Sequence, residues 1–185
     1  MRKSREEAAQ TRKRIVSAAA AEFRRNGVVA TGLKELMGAA GLTHGGFYKH
    51  FESKDDLVRE ACREAVETAI LETLAAAASK RSGFEAAYLS TDHRDNPAIG
   101  CPLSAIGSEL ARSDEKTRAA ATDGFLRLVE ILERQFGKIP TDRARQQALV
   151  AVSTMIGALM MSRIVTDPVL SAEILLEAEK SVTHG

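Results

Sequence analysis

The stretch "GLTHGGFYKHFESKDDL", residues 41–57, decides the fold. Two adjacent glycines, Gly45 and Gly46, stand where the surrounding pattern reads as one turn of helix, followed at once by Phe47, Tyr48, Lys49, His50 and Phe51. A glycine inside a helix costs about 1 kcal/mol relative to alanine. A segment that forgoes two side chains in succession must therefore gain something from a bare backbone. Gly41 stops the helix before this stretch, Leu42 plugs the turn, and Thr43 is placed to cap a short helix running through Phe51. Phe47 and Phe51, four residues apart, should face inward and anchor it. Ser53 then caps a long helix, with Asp55 and Asp56 in its first turn, where the helix dipole favours negative charge.

Upstream, a helix is expected over about 8–26, with Ile15, Ala19 and Phe23 on one stripe and Asn26-Gly27 as its left-handed cap. A second is expected over about 32–39, capped by Thr31, with Leu33, Leu36 and Met37 inward. Downstream, the long helix from 54 to about 79 buries a face that includes Cys62. Residues 80–104 are the least regular, with one short helix at 84–90. Helices follow at about 103–112, 114–136, 142–165 and 168–182, the fourth beginning at Pro168 with Asp167 as cap. Thr141 or Asp142 is the expected cap of the 142–165 helix. No stretch alternates with period 2 for long enough to suggest a strand. The fold class is thus all-α. Residues 1–53 form a three-helix domain, and a long helix joins it to a helical body over 54–185.

Two short helices across a tight turn have the form of a helix-turn-helix, whose second helix enters the major groove of DNA. A helix end without side chains can approach a sugar-phosphate wall closely, and its free N–H groups suit phosphate. Tyr48, Lys49 and Lys54 can reach phosphate oxygens, and His44 is the candidate for base contact. Charge agrees: residues 1–60 hold 12 Lys/Arg against 8 Asp/Glu, and the remainder 14 against 17.

"RKRIVSAAAAEFRRNG" followed by "ATGLKELMGAAGLTHGGFYKHFESKDDL" resembles the tetracycline-repressor-like (TetR) family of bacterial transcriptional regulators, over about residues 12–57. By position, the resemblance implies backbone contacts from Thr31, Thr43, Tyr48, His50 and Lys54, and puts His44, Gly45, Gly46 and Lys49 on the recognition helix. Gly32 and Gly38 depart from the family pattern. The first removes a possible phosphate donor, and the second should loosen its helix. The resemblance further implies a homodimer on a palindromic double-stranded operator, and repression relieved by a small molecule held in the C-terminal body.

The wide apolar helices over 142–165 and 168–182 agree with pairing of two copies. Leu149, Val152, Ile156, Met160, Leu170 and Ile174 are the expected interface, with Arg163 meeting a carboxylate across it. The expected effector pocket comprises Phe84, Tyr88, His93, Cys101, Leu103, Phe125, Leu128, Met155 and Leu159, although the methionines suit core packing equally. Oxidation of Cys101 is an alternative trigger. A helical enzyme with a site near His93 and Cys101 is a remote alternative, because no nucleophile–base–orienter set and no phosphate-cradling loop is present. The spacing of His93, Asp95 and Cys101 matches no metal pattern, and no cofactor is expected. A polar N-terminus and the absence of any run of 18 or more apolar residues predict a cytoplasmic protein without a membrane span.

Overall fold

The computed structural model describes residues 5–80, 82–137 and 142–184. Every regular element among them is a helix. The order is α1 (Arg5–Asn26), α2 (Leu33–Ala39), a six-residue 3-10 helix (His44–Lys49), α3 (Lys54–Lys80), α4 (Phe84–Tyr88), α5 (Thr91–Asp95), α6 (Pro102–Leu110), α7 (Glu115–Phe136), α8 (Asp142–Ile164) and α9 (Pro168–His184).

Local chemistry explains most boundaries. Gly27 and Gly41 adopt φ of 87° and 68°, ending α1 and α2 in the left-handed region that glycine enters without strain. Ser53 Oγ accepts from Asp56 N–H at 3.1 Å, and Asp114 Oδ1 from Thr117 N–H at 2.7 Å, capping α3 and α7. Asp167 Oδ1 accepts from Val169 N–H at 2.8 Å and caps α9. The cap of α8 expected at Thr141 lies outside the described residues, and Asp142 is the first residue of that helix.

Three expectations change. The α2 cap is Gly32: its carbonyl receives Leu36 N–H at 3.1 Å and its N–H donates to Glu35 Oε2 at 3.0 Å. Thr31 instead turns its hydroxyl back to the Gly27 carbonyl. The segment through Phe51 is a 3-10 helix ending at Lys49, because two glycines supply little drive for the wider α turn. The irregular stretch before α6 holds two short helices, the second capped by Ser90 Oγ accepting from His93 N–H at 3.2 Å.

The buried side chains form two cores that meet inside α3. Ile15, Phe23, Leu36, Met37, Phe47, Phe51 and the α3 residues Leu57 through Ala65 make the first, together with Ile106 and Leu110 of α6. Val66, Ile70, Phe84, Tyr88, Leu132, Met155, Leu159 and Leu175 belong to the second. The cores therefore divide between Ala65 and Val66, a dozen residues beyond the expected boundary at 53/54, and α3 is common to both. Gly124 lets α7 ride close on α3, since a Cβ there would lie 2.6 Å from Val66 Cγ2. On length and composition α8 could cross a membrane, but it is the core helix packed between α7 and α9.

Candidate nucleic-acid interface

The recognition segment is fixed from beneath by its aromatics. Phe47 is fully buried and stacks on Phe51 with ring centroids 5.6 Å apart. The Arg12 guanidinium sits 4.0 Å over the Phe51 ring and is paired with Glu60 of α3. Arg14 Nη2 donates to the Ala40 carbonyl at 2.6 Å, tying α1 to the turn. With its apolar side held, the segment presents Thr43, His44, Gly45, Tyr48 and Lys49 to solvent, while Gly46 and His50 are half-buried. Tyr48 is 69% exposed although its neighbour Phe47 is fully covered.

The glycines answer the question that the sequence raised. Neither has a positive φ. A Cβ on Gly45 would meet no atom within 4 Å, and one on Gly46 would rest 3.5 Å from Met37 Cε, an ordinary contact. The chain's own packing therefore requires no glycine at 45, and the absent side chain leaves room only on the outside.

Two of the nine expected contacts are corrected. Thr31 is 1% exposed and its hydroxyl donates to the Gly27 carbonyl at 2.5 Å. Lys54 Nζ donates to the carbonyls of Val28 at 2.6 Å and Thr31 at 2.7 Å. The ammonium thus clamps the α1–α2 loop, a partnership between residues more than 20 positions apart that no local pattern reveals. Lys54→Ala should lower unfolding stability by about 2 kcal/mol, since a hydrogen bond to a charged group contributes about 1.5–3 kcal/mol. Chemical denaturation checks this.

The clamp has a counterpart from the body. Both oxygens of Glu109, near the end of α6, accept the N–H groups of Val28 (3.0 Å) and Val29 (2.8 Å). Arg24, at the last turn of α1, is 6% exposed. It donates to the carbonyls of Gly100 at 2.9 Å and Ala65 at 3.3 Å. Burial lowers its pKa to about 10, opposed in part by the neighbouring Cys101 and Glu64. Neither residue stood out in the sequence: a basic residue at the end of a helix is ordinary, and its partners lie 41 and 76 positions away.

The nine expected pocket residues do converge, but as packed interior. Phe84, Tyr88, Cys101, Leu128, Met155 and Leu159 are all buried in the second core, with Leu103 and Phe125 against it. Only His93 among the nine lines either of two clefts in the body. One, of about 140 Å³, lies between α3 and residues 87–100. The other, of about 370 Å³, lies between the end of α7, the start of α8 and the end of α9, and is lined by Phe136, Gln146, Val150, Thr154 and Val182 among others. The second falls within the size range of small-molecule sites, about 300–1,000 Å³.

His93 is a structural lock. Its Nε2 accepts Cys101 N–H at 2.9 Å, so Nδ1 carries the proton and donates to the Tyr88 carbonyl at 2.7 Å. Burial depresses its pKa to about 4. The bond to the Tyr88 carbonyl opposes this, and the nearby Arg163 and Arg24 charges add to it. The unfolded chain binds this proton below about pH 6.5, whereas the folded chain resists it until about pH 4. Stability should thus be complete above pH 6.5 and fall as pH drops toward 4, by up to about 3 kcal/mol. Denaturation curves across that window should lose most of this dependence in His93→Gln.

The expected pairing surface is also revised. Val152 is 1% exposed and belongs to the second core. Arg163 turns inward and donates to the carbonyls of His93 (2.7 Å) and Arg94 (3.0 Å). Leu149, Ile156 and Ile174 are half-buried against their own core, leaving Met160 and Leu170 exposed. The exposed apolar surface of α8 and α9 beyond the 370 Å³ cleft runs instead through Met160, Met161, Ile164, Val169, Leu170 and Leu176. Gly157 lies among them, and a Cβ there would meet nothing within 4 Å.

Comparison with known proteins places this architecture. Residues 15–61 match the model of bacterial regulatory proteins of the tetR family, and residues 86–170 match the C-terminal domain model of LmrA/YxaF-like transcriptional regulators. The chain is 30% identical over 173 residues to the uncharacterized HTH-type transcriptional regulator Rv0196 of Mycobacterium tuberculosis, covering 84% of this chain and 86% of that protein. Over 59 residues it is 44% identical to the HTH-type transcriptional regulator AcrR of Shigella flexneri, covering 32% of this chain and 27% of AcrR. The solved structure of a TetR transcriptional regulator from Chloroflexus aurantiacus superposes with a TM-score of 0.75 at 26% identity, covering 96% of this chain and 94% of that one. Helix-turn-helix geometry, two-core helical architecture and full-length similarity agree: the chain belongs to the TetR family of bacterial transcriptional regulators.

Proposed function

We propose that this DNA-binding regulator represses transcription as a homodimer on a palindromic operator and is released by a small molecule bound in its body. The functional division is at 53/54, with residues 54–185 serving effector binding and dimerisation. The observation that carries the DNA contact is Gly45. It is exposed, unstrained and unneeded by any internal packing, so its bare backbone serves a surface outside the chain. Thr43, Tyr48 and Lys49 flank it as phosphate donors, and His44 as a base reader.

Pairing is supported by the apolar surface of α8 and α9. On a two-fold axis the same patch meets itself, and Gly157 allows the helices to approach closely. The 370 Å³ cleft at the α7–α8–α9 end is the better-sized effector site, replacing the packed interior around Tyr88 and Leu159. A regulator of this kind acts in the cytoplasm. A catalytic role is not inferred, since both His93 nitrogens are engaged in holding the backbone.

The test is selection of bound fragments from a genomic DNA pool, followed by footprinting. The expected result is an inverted repeat with half-site centres about 34 Å apart or somewhat more. Enrichment of sites without two-fold repetition, or none at all, contradicts the proposal.

A further inference from the structure

The outward face of α8 forms a stripe at heptad spacing: Val150, then Ser153 and Thr154, Gly157, Met160 and Met161, and Ile164. No charged residue stands between Arg145 and Arg163. Ser153 Oγ donates to the Leu149 carbonyl at 2.8 Å, so its hydroxyl is satisfied within the helix. The stripe reads alike in both directions from Gly157, with a branched aliphatic residue at each end. Between centre and end, the short Ser153 and Thr154 on one side answer the long Met160 and Met161 on the other. Such a surface is complementary to a reversed copy of itself. A repeat averaging 3.5 residues suits the shallow crossing, about 20°, that keeps two helices in contact over several turns.

The same stripe runs into the cleft of about 370 Å³, where Val150 and Thr154 form part of the wall. Val150 is 68% exposed, so the cleft stands open on this side. In an antiparallel pair centred on Gly157, position 150 of one copy faces position 164 of the other, and 154 faces 160. No described residue of the lining is charged. Phe136, Val150 and Val182 supply apolar wall, and Gln146, Thr154 and Ser181 supply amide and hydroxyl groups.

We propose that each effector cleft is completed by the second copy, with Ile164 of the partner subunit against Val150 and Met160 of the partner subunit over Thr154, and that it takes an uncharged, largely apolar molecule with one or two hydrogen-bonding groups. This rests on the reading of the chain as a homodimer with its effector in this cleft. An ion would lose its water there without meeting a counter-charge, which is costly. Because both copies wall the site, binding and pairing are linked: the ligand tightens the dimer, and a monomer holds the ligand weakly.

Two measurements on the full chain test this. Val150→Cys together with Ile164→Cys should give a covalent dimer on mild oxidation, since those positions meet across the axis. Neither variant alone should do so, because like positions then lie about 21 Å apart, 14 residues at about 1.5 Å each. The native thiols are buried. N-phenyl-1-naphthylamine, a neutral fluorophore, should bind at least ~10-fold more tightly than 1-anilinonaphthalene-8-sulfonate, which has the same rings and a negative charge. Ser181→Trp, which fills the cleft, should weaken the neutral probe at least ~10-fold. Met160→Ala should weaken it several-fold in a protein that remains a dimer, although Met160 lies about 9 Å along α8 from Thr154 of its own chain. Sedimentation of the unmodified protein separates the failures: a monomer overturns the homodimer reading and this inference with it. A dimer in which positions 150 and 164 do not cross-link, or which binds the sulfonate as tightly or ignores Ser181→Trp or Met160→Ala, overturns this inference alone.

Discussion

Ile164→Asp combined with Leu176→Asp should convert the protein to a folded monomer that no longer holds its operator. Both side chains are at least half exposed, so neither change touches the chain's own core. In an isologous pair each substitution occurs twice, and four carboxylates would be driven into one apolar contact. Burying an unpaired charge is costly, on the order of several kcal/mol after relaxation. The dimer dissociation constant should rise by at least ~1,000-fold, equivalent to about 4 kcal/mol. Analytical ultracentrifugation at micromolar concentration should show a monomer with unchanged helicity. DNA affinity should collapse with it, because a single recognition segment reads only a half-site. A double variant that still sediments as a dimer would place the partner contact elsewhere.

Arg24→Met should be the most destabilising single change at the junction of the two cores. Methionine restores much of the apolar volume, yet it leaves the Gly100 carbonyl without its donor and removes a second bond to the Ala65 carbonyl, which stays paired within α3. A buried acceptor left unpaired costs about 1–3 kcal/mol, and a hydrogen bond to a charged group contributes a similar amount. The buried guanidinium was itself costly to desolvate, as its lowered pKa records, so part of the loss is recovered. A net loss of about 3 kcal/mol is expected. Thermal unfolding should also become less cooperative between the α1–α2 region and the body, visible as earlier amide exchange in α1. Arg24→Lys should recover little, since one ammonium cannot reproduce a fork aimed at several carbonyls.

The parts legible in the sequence are those in which chemistry acts over a few residues. Gly27 and Gly41 announce their left-handed turns, Ser53 and Asp167 their caps, and Phe47 and Phe51 their inward face. What could not be read depends on partners far along the chain. Lys54 looks like a phosphate ligand until the carbonyls of Val28 and Thr31 are seen beside it. Arg163 looks like an interface charge until it is found holding the end of α5. Helix α8 is apolar on more than one side, so periodicity alone could not say that Val152 faces in and Val150 faces out. The expected pocket failed for a related reason: sequence shows which apolar residues meet, but not whether they leave a space between them.

The central claim is that the backbone at Gly45 lies against DNA. Gly45→Leu tests it most directly, with operator affinity and thermal stability measured on the same preparation. A side chain there meets nothing in the protein, and leucine is a far better helix former than glycine. The account predicts equal or higher stability together with operator affinity reduced at least ~100-fold, as the new side chain is forced into the duplex. Undiminished affinity in a stable Gly45→Leu protein would contradict it.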